Sequence, residues 1–107
     1  MTEPKYPAWY NHLQEKHGGF MKALEQLGEA VRREGPLPAK TAHLIQLAGA
    51  AAIRSQGAVH SHTRRALEAG ATAADIYHAL ILLTSTIGFP TVSAALNWAS
   101  EIIAKEG

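Results

Sequence analysis

The sequence contains no cysteine. Disulfides, thiolate catalysis, zinc held by sulfur and iron–sulfur clusters are therefore excluded for these residues. It also has no long hydrophobic run. None approaches the roughly 18 apolar residues that a membrane helix needs, so no membrane partner is expected. Charge of one sign is lacking too. The formal net charge is +1, and the only basic doublets are Arg32-Arg33 and Arg64-Arg65. That is too small an electrostatic footprint for a nucleic-acid partner. Two adjacent arginines on a helix are expected on a solvated face. Alternating strand patterns with hairpin turns are missing as well. The first residues, MTEPKYPAWYNHLQ, have no apolar stretch before a small-residue cleavage site. A cytoplasmic location is the resulting expectation.

What remains is a chain of 107 residues, 47% of them hydrophobic. This suits one domain spanning residues 1–107, with residues 1–19 as a lead-in and short first helix and 20–105 as its core. Pro4 and Pro7 mark residues 1–7 as extended. Trp9, Tyr10 and Leu13 suggest a first helix that Gly18-Gly19 interrupts. Phe20, Leu24, Leu27 and Val31 form the stripe of a second, which Gly35, Pro36 and Pro38 end. A third helix, from about Ala39 to Arg54, is apolar on almost every side and should be buried, within one subunit or between subunits. Gly57 allows a break before a fourth helix that ends at a Gly70 cap. Thr72 and Asp75 have capping-box spacing before a fifth helix, DIYHALILLTSTI. Gly88-Phe89-Pro90 separates it from a sixth, with Val92, Ala95, Leu96, Ala99, Ile102 and Ile103 as its stripe. The fold class is therefore all-α, a six-helix bundle. Two nearly all-apolar helices exceed what so short a chain can cover, which implies a homo-oligomer.

Of six histidines, His62 is the most informative. At helical spacing Val59, His62, Thr63, Ala66 and Leu67 share one face of the fourth helix. His60, Arg64 and Glu68 fall about half a turn away and should point outward. His60 and His62 therefore cannot chelate one metal from a single face. An inward His62 is either a satisfied core residue or a proton-transfer group. His43, in the third helix, has the same two readings. His78 lies three residues after Asp75, a helical spacing at which the two pair. Ser55 and Ser61 lack the strand–elbow–helix context of a serine nucleophile.

Three segments together resemble the carboxymuconolactone decarboxylase family, which includes the alkylhydroperoxidase D proteins. They are Lys40-Thr41-Ala42-His43-Leu44-Ile45-Gln46-Leu47-Ala48, then His62 through Thr72 (HTRRALEAGAT), then Ile87-Gly88-Phe89-Pro90 with Ala94 and Ala95. The resemblance covers roughly residues 20–105. It implies an alkylhydroperoxidase D-like fold assembling as homotrimers or homohexamers. In the redox branch the family motif is a Glu in the buried third helix, a Cys-x-x-Cys pair and a His four residues later. Carried over, that His is His62, the two Cys positions are Ser55 and Ala58, and the Glu position is His43.

A peroxidase or peroxiredoxin label would attach to the family, but the mechanism needs a thiolate and a resolving thiol. The decarboxylase branch lacks the Cys pair and keeps the His. By that resemblance His62 acts as acid–base on a small carboxylated or lactone substrate, a lyase reaction, with His43 assisting and no cofactor. Arg54, Ser55 and His60 are candidate substrate-binding residues. Two alternatives stay open. One is a non-catalytic oligomeric domain that binds a small ligand. The other is a metal site of His43 and His62, with His60 of another subunit as the third ligand.

Overall fold

The computed structural model describes residues 6–106, so the lead-in expected over residues 1–7 lies mostly outside them. Seven helical segments follow in order among the described residues: α1 (Ala8–Lys16), α2 (Gly18–Arg33), α3 (Ala39–Ala52), α4 (Gln56–Glu68), α5 (Ala73–Ile81), α6 (Thr84–Ile87) and α7 (Phe89–Glu106). Six are full helices and α6 is a single turn. No strand occurs among the described residues, so the chain is all-helical. No described helix is long and apolar enough to cross a membrane. The chain forms two compact units, one running to Pro36 and the other from Leu37.

In the first unit α1 packs on α2. Gln14 Nε2 donates to Tyr10 Oη at 3.0 Å and to Glu25 Oε1 at 3.2 Å, which ties the two helices. The α2 stripe of Phe20, Leu24, Leu27 and Val31 follows helical spacing, yet every member is more than half exposed. Only Met21 of this helix is buried.

The second unit is built on the α3–α4 hairpin. Leu47, Ala50 and Ala51 of α3 meet Val59 and Ala66 of α4 in the core, with Ile76 and Leu80 of α5 and Ala95 and Ala99 of α7. Ala50, Ala51, Ala66, Ala95 and Ala99 let helix backbones approach closely, because a methyl group adds little to the interaxial distance. The α3–α4 turn is a Schellman motif. Ser55 N–H donates to Ala50 O and Arg54 N–H to Ala51 O, both at 3.0 Å. Arg54 takes the left-handed position with φ 57°, where glycine would be cheaper. Gly70, at φ 100°, occupies the same position after α4.

The expected fifth helix is divided at Leu82-Leu83, a correction to its reading as one element. Its run of apolar residues carries no glycine or proline there, and Thr84 Oγ1 donates to Ile81 O at 2.7 Å across the break. The predicted capping box is present at its start. Thr72 N–H donates to Asp75 Oδ2 at 2.9 Å, and Asp75 N–H to Thr72 Oγ1 at 3.1 Å. His78 is exposed; Asp75 bonds to Thr72 and pairs with Lys40, and His78 adds only a weaker attraction.

The backbone hydrogen bond from Thr72 holds the Asp75 carboxyl below its usual 3.8, with Lys40 adding a smaller attraction. A depressed carboxylate stabilises the fold fully above its unfolded value, and that stability fades as pH falls through the folded value. Asp75→Ala is therefore expected to unfold at lower temperature than wild type at pH 6. The two melting curves should converge as pH drops below about 3.8. Paired thermal melts across this range check it.

Candidate functional site

His43 and His62 meet because of where they stand on the hairpin. Both lie some distance from the connection, nine residues before the end of α3 and six after the start of α4. At about 1.5 Å of rise per residue, an antiparallel pair brings them to similar heights. Their ring centroids are 6.0 Å apart with planes at 37°. That separation lies within the roughly 4.5–7 Å over which rings touch. His43 is 7% exposed, and His62 is part-buried. Both rings turn their Nδ1 atoms away from solvent. The pair thus offers two imidazoles, either of which can exchange a proton, at one level of the α3–α4 seam.

The other sequence candidates go elsewhere. Ser55 Oγ accepts from Ala58 N–H at 3.2 Å and caps α4. Arg54 donates through Nη2 to Thr91 Oγ1 at 2.6 Å, fastening the hairpin turn to the first turn of α7. His60 Nε2 lies 3.2 Å from Glu101 Oε1, also on α7. Within one chain the structure therefore brings together His43 and His62, while Arg54, Ser55 and His60 serve the turn and the α7 contact. No group of three His, Asp or Glu side chains among the described residues is placed to hold a metal.

One expectation needs correcting. Arg64 is not on a solvated face: it is 5% exposed, with Nε 4.0 Å from Glu106 Oε1. The reason is that α4 has two packed flanks. Val59, Thr63 and Ala66 face the core, His62 turns to the α3 side, and His60 and Arg64 turn to α7. A wheel with one apolar centre cannot show the second flank. A buried guanidinium must be paired, and acidic residues on α7 stand opposite it.

A family model for the carboxymuconolactone decarboxylase family matches residues 18–101. The chain belongs to the carboxymuconolactone decarboxylase family. Comparison with curated proteins and with solved structures gives no match. The matched span includes α2 through most of α7 and both histidines. At this seam the chain offers imidazoles and no thiol. The sequence reading also gave no role to Gln46. It lies one turn after His43, and its Oε1 is buried.

Proposed function

We propose that this carboxymuconolactone decarboxylase-like protein is a non-redox, lyase-type enzyme. His62 acts as the acid–base group on a small carboxylated or lactone substrate, and His43 assists. The observation that carries this reading is the approach of the two rings to 6.0 Å. In a decarboxylation the bond to the carboxylate breaks, carbon dioxide leaves, and the electron pair is delocalised toward an adjacent carbonyl. An imidazolium at His62 then delivers a proton to carbon, and His43 can resupply it. Thiol peroxidase chemistry has no nucleophile in this chain, which contains no cysteine. The test is turnover of a panel of carboxylated five-membered lactones by wild type and His62→Ala. Turnover by neither, with ligand binding retained, would favour a non-catalytic binding domain.

The working form is a homotrimer or homohexamer in this reading. Its support is exposed apolar surface. Phe20, Leu24, Leu27 and Val31 make a continuous stripe along α2, and Ile45, Ile53, Ile81, Leu82 and Phe89 are more than half exposed in the second unit. Large exposed apolar patches mark protein interfaces. Sedimentation velocity is expected to give a trimer or hexamer. Leu24→Asp with Leu27→Asp should shift it toward smaller species, and a wild-type monomer at micromolar concentration would end the idea.

A further inference from the structure

Gln46 lies three residues after His43 on α3, so the two side chains are neighbours on the helix, about 5–6 Å apart at Cβ. Its Oε1 is buried and has no hydrogen-bond partner among the described residues. An amide oxygen removed from water without a donor costs free energy, so such atoms are rare unless something else satisfies them. Thr63 makes a useful contrast. Its Oγ1 is also buried and without a partner, but Thr63 is completely enclosed in the core. Nothing from outside can reach it. Gln46 is only part-buried as a residue, although its Oε1 is itself buried.

We infer that Gln46 is a ligand-binding residue of the His43–His62 site. Its inward carbonyl oxygen accepts a hydrogen bond from an N–H or O–H group of the small molecule. This rests on reading the His43–His62 pair as the site. The amide is neutral, so it carries no charge to offset the desolvation of a cation, and an uncharged donor suits it. It would hold that donor beside His43 while His62 faces the reacting carbon. The ligand class is narrowed accordingly, to a small carboxylated ring compound that carries a hydroxyl or amide N–H.

Two probes separate this from a structural role. One is pyroglutamate, a lactam carboxylate whose ring N–H can donate. The other is its lactone counterpart, with a ring oxygen in place of the N–H. Occupancy is read from the ring-proton shifts of His62 and His43 by NMR, for wild type, Gln46→Met and Gln46→Glu. Wild type should bind the lactam about tenfold more tightly than the lactone, the worth of one net hydrogen bond. Gln46→Met should lose that preference, and Gln46→Glu should keep an acceptor and retain it in part. Gln46→Met should also melt a few degrees higher than wild type, because it removes a buried acceptor that the free protein leaves unsatisfied. A lower melting temperature would mean that Gln46 is bonded within the fold, and would overturn the inference. So would a lactam preference that survives in Gln46→Met. If both probes shift the histidine rings without preference in wild type, this inference alone falls. If neither probe moves the rings, the reading of the site falls with it.

Discussion

Replacing His62 by alanine is expected to lower kcat/KM for a carboxylated lactone by about 10²–10⁴-fold, the usual worth of a positioned acid–base group. The loss should fall mainly on kcat, because a proton moves only on the way to the transition state. His43→Gln should cost less. It keeps a polar side chain of similar reach beside His62 and removes only the second imidazole. His60→Ala serves as the control. His60 lies against Glu101 of α7, not against His43, so its removal should leave kcat within a few-fold of wild type. Equal rates for wild type and His62→Ala, in a folded protein, would remove the enzyme reading.

The second large effect concerns stability. Leu80→Ala is expected to cost about 2–5 kcal/mol, from lost transfer energy plus the cavity left behind. Leu80 is fully buried in the core cluster, near the end of α5, where that helix packs on α3 and α7. The helix ends one residue later, at Ile81. Since a whole domain holds only about 5–15 kcal/mol of net stability, this change consumes a large share of it. In a chain of this size it corresponds to a melting temperature lower by about 10–30 °C. Leu82→Ala is the matched control. Leu82 is 63% exposed, so in a single protomer the change should stay within about 0.5 kcal/mol. A loss at Leu82 that grows with protein concentration would instead report its burial between copies. Urea unfolding at two matched protomer concentrations measures both variants. A Leu80→Ala midpoint close to that of wild type would contradict the core described above.

Much of the fold is legible in the residues. Helical spacing and glycine or proline punctuation locate six helices, and Thr72 with Asp75 announces a capping box that is present. These features are local. Each depends on residues a turn or two apart, and a helix start or stop is decided by backbone groups close in sequence. The division of α5 from α6 at Leu82-Leu83 was not legible. There the chain bends without glycine or proline, in a run of residues that would all tolerate a continuous helix.

The candidate site divides in the same way. His62 on the inward side of α4 follows from the spacing of Val59, Thr63 and Ala66. The absence of cysteine, which removes thiol chemistry whatever the family, is a property of composition alone. Family resemblance put His43 and His62 at two positions of one motif, but periodicity could not bring them together. Tertiary structure decided the rest: the 6.0 Å approach of His43 to His62, the burial of Arg64 against α7, the tie from Arg54 to Thr91, and the buried Oε1 of Gln46. The physical reason is that each depends on which helix packs beside α3 and α4. A helix carries the direction of every side chain in its own sequence. What that side chain meets is set by residues 19 to 42 positions away, as His43 with His62 and Arg64 with Glu106 illustrate.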